Sequence, residues 1–158
     1  TDPKEINEHN TIVDLIRNDL SKVAKEVQVK RFRYLDKIKT QKNEIYHTSS
    51  EIRGKLPPDW KSQLPDLLLS MLPAGSICGA PKAKTVSIIQ EVEQDPRGYY
   101  TGIFGYFDGE ELDSAVNIRF IEEKNSQLLY RSGGGITFLS DMESEYNELI
   151  EKIYVPVV

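Results

Sequence analysis

The chain has 158 residues, 39% of them hydrophobic and 28% charged, a polar globular composition with room for one domain core. Its 20 Lys and Arg against 25 Asp and Glu leave a net charge of −5, which argues against a nucleic-acid partner, since a phosphate footprint needs a basic excess. No apolar run approaches the roughly 20 residues of a membrane helix, and the single cysteine, Cys78, excludes an internal disulfide or a cysteine zinc cage and fits a reducing cytoplasm.

Asp2-Pro3-Lys4-Glu5 predicts a capped helix start, with proline in the first turn and a capping-box glutamate. The helix is expected to run to about Ala24. Ile6, Ile12, Val13, Leu15, Ile16, Leu20 and Val23 form one stripe at 100° per residue. Glu5, Glu8, His9 and Asp19 project into that same stripe, while Asn10, Asp14, Arg17, Asn18 and Ser21 lie behind it. A carboxylate on an apolar face is costly unless paired, so these groups are expected to find partners.

Val27 to Leu35 alternates as a strand, and residues 43–54 predict a second, with His47 in its middle. Leu56-Pro-Pro-Asp59 is the most linker-like stretch. Helices are expected over Lys61 to Leu72 and Lys82 to Gln94, separated by the small-residue loop Ala74 to Pro81. That loop opens a helix, where free N–H groups suit a carboxylate or phosphate, although its spacing does not match a Walker motif. Strands over Gly98 to Phe107 and Leu112 to Glu122 form a hairpin about Asp108-Gly109. Tyr99-Tyr100 is by default a sheet pair, and Arg119 closes the second strand, where an inward arginine would need an anion. A strand over Gln127 to Arg131 leads into Ser132-Gly133-Gly134-Gly135, a segment able to form either a plain turn or an anion nest. The closing helix runs from Asp141 to Tyr154. Glu145, Glu148 and Lys152 share one edge of it, either as a solvated ion-paired rim or as a carboxylate pair for a hard cation such as Mg²⁺. The pattern is α+β, with strand following strand rather than strict βαβ alternation.

Six stretches in order resemble one family, the chorismate-utilising enzymes. Glu5 to Leu20 is similar to the KExxEHxMIVDLIRNDL helix, and Leu72 to Lys82 to the FPAGSxxGAPK loop. Arg97 to Gly102 resembles RGxYxG. Asp113 to Arg119, Gly133 to Ile136 and Glu145 to Lys152 resemble the later blocks. The resemblance implies layered β-sheets with flanking helices enclosing a deep site. It also implies that residues 1–158 are the C-terminal portion of a single chorismate-binding catalytic domain, because the family pattern starts before Thr1. Residue by residue, it implies Mg²⁺ ligation by Glu8, Glu145 and Glu148. Chorismate binding would fall to Ser76, Tyr100, Arg119, Gly133, Gly134, Gly135 and Lys152, and His47 would act at the departing C4 hydroxyl.

Within the family the blocks look most like the aminodeoxychorismate synthase component I branch of para-aminobenzoate and folate biosynthesis. That branch is a transferase partnered by a glutamine amidotransferase, with no role for membrane or nucleic acid. The anthranilate synthase component I branch and an inactive binding or assembly fragment are the alternatives. A chain holding only this portion is expected to be catalytically silent alone.

Overall fold

The structure, a computed structural model, describes residues 3–39 and 44–153. Its elements are α1 (Pro3–Ser21), β1 (Lys25–Lys39), β2 (Glu44–Lys55), α2 (Leu64–Met71), α3 (Gly75–Cys78) and α4 (Lys82–Val92), followed by β3 (Ile103–Phe107), β4 (Leu112–Val116), β5 (Phe120–Lys124), β6 (Gln127–Arg131) and α5 (Met142–Glu151). The strands pair as three antiparallel hairpins, β1–β2, β3–β4 and β5–β6, each its own two-stranded sheet. This is the expected α+β class. The residues group into two compact units, Thr1–Gln94 and Asp95–Val158.

In the first unit α1 supplies the organising surface, touching β1, β2, α2 and α3. Val13, Asp19, Gly75 and Cys78 are the buried residues among those described. Asn10, Asp14, Arg17, Asn18 and Ser21 face solvent as the helical period requires. The expected helix over 61–72 is shorter than its apolar pattern, because turns precede it and Pro65 sits in its first two positions. The small-residue stretch expected as a loop contains one helical turn, α3, closed by the Gly79 N–H on Gly75 O at 2.9 Å. Gly79 then reverses the chain at φ 77°, which glycine adopts without strain.

The second unit departs from expectation at two places. The strand expected from Gly98 begins only at Ile103, and Tyr99 and Tyr100 lie in a turn with Thr101 at φ 65°. They are therefore not a sheet pair. The strand expected over 112–122 is two strands, broken over residues 117–119, with Arg119 at φ 53° just before β5. A left-handed non-glycine residue leaves no hydrophobic pattern to read. The Asp108-Gly109 hairpin is as expected, with Asp108 Oδ1 accepting the Glu110 and Glu111 N–H groups at 2.8 and 2.7 Å. Asp141 caps α5 by accepting the Ser144 N–H at 3.0 Å. Among the described residues no helix is long and apolar enough to cross a membrane.

Candidate functional site

In the first unit Asp19, one of the acids that intrude on the stripe of α1, has partners. Asp19 is buried at 8% exposure. Its Oδ1 accepts Lys22 Nζ at 2.8 Å and Lys82 Nζ at 2.6 Å, and its Oδ2 accepts the Gly75 N–H at 2.9 Å. Burial alone would raise the Asp19 pKa, but these three donors outweigh it and hold the carboxyl below its ordinary value. The small-residue loop does meet a carboxylate with its amide, and that carboxylate is the chain's own.

His9 Nε2 lies 2.7 Å from Ser50 Oγ, which also accepts the Arg33 N–H at 3.0 Å. The ring of His9 packs edge-on to Phe32 at 5.9 Å. Burial lowers the His9 pKa, and the positive charge of Arg33 and the neighbouring His47 lower it further. His47 itself stands exposed on β2, opposite Asp36, with Nδ1 3.1 Å from Ser49 Oγ. Glu8 is half-buried, with its Oε1 closed off from solvent. Ser76 is exposed on α3 while Cys78, two residues on, is buried. Burial raises the Cys78 thiol pKa, and Sγ lies 3.3 Å from Ala74 O, so this cysteine packs as expected.

In the second unit the turn bearing Tyr100 is latched to the end of β4. The Thr101 N–H donates to Asn117 O and the Asn117 N–H to Gly102 O, both at 2.8 Å, and Asn117 Nδ2 reaches Tyr99 O at 3.2 Å. Arg97 lies 5.7 Å from the Tyr100 ring centroid, within cation–π range. The hydroxyl of Tyr100 rests against Gly133, where an added Cβ would fall 1.9 Å from it. Only glycine allows that approach. Arg131 clamps the strand end just before the glycine run, with Nε and Nη2 each 2.7 Å from Glu122 Oε2.

Gly134, Ile136, Ser140, Glu145, Tyr146 and Leu149 line a groove of about 440 Å³. Glu145 is half-buried in that groove; Glu148, one turn on, is exposed and ion-paired to Lys152. Arg119 is exposed at its bend, and Gly135 is exposed after β6. The structure therefore brings Tyr100 to Gly133, Gly134 to Glu145, and Glu148 to Lys152. Glu8, His47 and Ser76 lie in the other unit. Within either unit, no three His, Cys, Asp or Glu side chains among the described residues converge as a metal cage. Two carboxylates one helical turn apart are nonetheless the hard oxygen donors that Mg²⁺ prefers, completed by water or substrate.

Sequence reasoning passed over Asn117, Arg97 and the Lys82 ammonium as organising groups. Arg97 and Lys82 both end or begin blocks already singled out, so their place in those blocks was the available signal. Asn117 was visible only as the residue where apolar alternation stops.

Comparison with known proteins gives this geometry a context. The sequence pattern described as chorismate binding enzyme matches residues 1–157. An uncharacterised PabA-like protein of Pasteurella multocida is 64% identical over 154 residues, covering 98% of this chain and 48% of that protein. Anthranilate synthase component 1 of Lactococcus lactis is 36% identical over 155 residues, covering 96% of this chain and 33% of its own length. The crystal structure of anthranilate synthase component I from Streptococcus pneumoniae superposes with a TM-score of 0.80 at 35% identity, covering 96% of this chain and 34% of that one. The chain thus spans half or less of the relatives it matches. With the pattern running through α1, the small-residue loop, the Tyr100 turn, the glycine run and α5 in order, this chain belongs to the chorismate-binding enzyme family.

Proposed function

We propose that this chain forms the chorismate-binding portion of an aminodeoxychorismate synthase component I. In this reading ammonia displaces the C4 hydroxyl of chorismate to give 4-amino-4-deoxychorismate. The observation that carries chorismate binding is the close approach of Gly133 to the Tyr100 hydroxyl beside the Gly134–Glu145 groove. There a side-chain donor and a run of backbone N–H groups lie next to a pocket with a carboxylate at its edge. Such a pocket suits a ring ligand that needs apolar walls, its own carboxylate requiring a cation beside Glu145. The aminodeoxychorismate branch is favoured by the sequence of α1 and of the loop Ser76-Ile-Cys-Gly-Ala-Pro-Lys82.

Chorismate is a dianion and the chain carries a net charge of −5, so attraction has to be local. Arg119 and Lys152 would supply cations, while Tyr100 and the N–H groups of residues 133–135 would supply neutral donors. Lys152 is held by Glu148 until a ligand carboxylate or a metal competes for one of the pair. His47 is assigned to the departing hydroxyl, where it would donate a proton as the C–O bond breaks. The family resemblance assigns Mg²⁺ to Glu8, Glu145 and Glu148, each a hard oxygen donor; when bound the metal would neutralise the ring carboxylate and increase the electron demand at C4. Ammonia would come from a glutamine amidotransferase partner.

The anthranilate branch is the second reading, favoured by the named relatives and by the solved structure. Incubating the protein as its gene encodes it with chorismate, Mg²⁺ and ammonium distinguishes the two by product. Formation of 4-amino-4-deoxychorismate is expected. Anthranilate would move the assignment to the second branch, and calorimetry showing no chorismate binding with or without Mg²⁺ would overturn both. His47→Ala in the same assay is expected to cut kcat with little change in KM.

A further inference from the structure

We infer that Asp19 is a positioning residue that sets the register of the small-residue loop, so that Ser76 rather than Cys78 faces outward. The loop has little of its own to fix it. Ala74, Gly75, Gly79 and Ala80 carry no anchoring side chains, and α3 is a single turn. Residues two apart on such a turn point about 200° apart, so a register step of two residues would turn Ser76 inward and Cys78 out. Asp19 prevents that step from both ends. Its Oδ2 takes the N–H of Gly75, immediately before Ser76, at 2.9 Å, and its Oδ1 takes Lys82, the first residue of α4, at 2.6 Å.

Lys82 also donates to Met71 O at 3.2 Å, which ties the end of α2 into the same knot. The fit leaves no slack: a Cβ at Gly75 would lie 2.9 Å from Leu15 Cβ and 3.0 Å from Asp19 Oδ2. A buried carboxylate with three donors converging on it is a rigid point, since moving the loop would strand a charge away from water. Asp19 thereby joins α1, which carries Glu8, to the loop that carries Ser76. The role of Ser76 as a ligand contact rests on the chorismate reading; the clamp itself does not.

The test pairs hydrogen exchange with kinetics in the protein as its gene encodes it. Asp19→Asn is expected to accelerate exchange at the Gly75, Cys78 and Gly79 amides at least tenfold. Amides of the β1–β2 ladder should stay within twofold. Lys82→Gln should do the same, the double variant should be no worse than either single one, and Lys82→Arg, which keeps the charge, should recover protection to within threefold.

In the chorismate assay Asp19→Asn should lower kcat/KM at least tenfold, and adding Ser76→Ala to it should lower it little further. Unchanged loop exchange in Asp19→Asn would overturn the clamp, as would faster exchange that Lys82→Arg fails to rescue. If Asp19→Asn does not fold, the Lys82 pair of variants decides the same question. Loosened exchange with unchanged kinetics would overturn the positioning role. No turnover by the unmodified protein would overturn the chorismate reading and the role of Ser76 with it, while the exchange result would still decide the clamp.

Discussion

Each unit carries a lysine–carboxylate pair, and the two carboxylates live under opposite conditions. In the first unit Asp19 and Lys82 meet at 2.6 Å with side-chain exposures of 11% and 23%, and the carboxylate has two further donors. In the second, Lys152 and Glu148 meet on the edge of α5 with exposures of 23% and 51%. The first pair joins residues 63 positions apart and places its carboxylate among the buried residues of its unit. The second joins neighbours on one helix, in a unit with no buried residue among those described. The same chemistry thus serves two ends. A desolvated pair fixes geometry, whereas a solvated pair stays open to exchange for a ligand or a metal.

The largest expected effect is at the buried pair. Asp19→Ala leaves the Gly75 N–H unpartnered and Lys82 with only its bond to Met71 O, and should cost about 3–5 kcal/mol in denaturant unfolding. A loss below about 1 kcal/mol would place Asp19 in the same class as Glu148. The pH dependence sharpens the contrast. A carboxyl whose folded pKa lies below its unfolded value near about 4 stabilises the fold above that pH. The contribution is lost as pH falls through the folded value. Acid unfolding followed by circular dichroism should be steeper below about pH 4 for the unmodified protein than for Asp19→Asn. Equal slopes would mean that Asp19 is not the group being read.

Gly75→Ala should cost about 1–3 kcal/mol, because its methyl meets Leu15 and Asp19 at contact distances too short to accept it. In the second unit, Asp141→Ala removes the cap of α5 and should cost about 1 kcal/mol in thermal unfolding. The smallest stability effect is expected for Lys152→Met, less than about 1 kcal/mol. The same variant should weaken chorismate binding in calorimetry, so its functional loss should exceed its structural one. A stability loss as large as that of Asp19→Ala would erase the distinction between the two pairs.

Local chemistry was legible in the sequence. Helical period located α1 and the solvent side of it, Asp108-Gly109 marked its hairpin, Asp141 marked the start of α5, and β6 has its expected bounds. The period also exposed an imbalance, acids on an apolar stripe, and so required partners for Asp19 and His9 without naming them. Tertiary structure supplied those partners as Lys82 and Ser50, because a helix pattern states which face needs cover and not which distant element provides it. It also decided where chain direction changes. Tyr100 sits in a turn and Arg119 at a bend because Thr101 and Arg119 adopt positive φ, a backbone state that leaves hydrophobic periodicity unmarked in residues other than glycine. The resemblance ordered the candidate site residues along the chain. Which of them touch was decided by packing: Tyr100 reaches Gly133 because no Cβ stands between them.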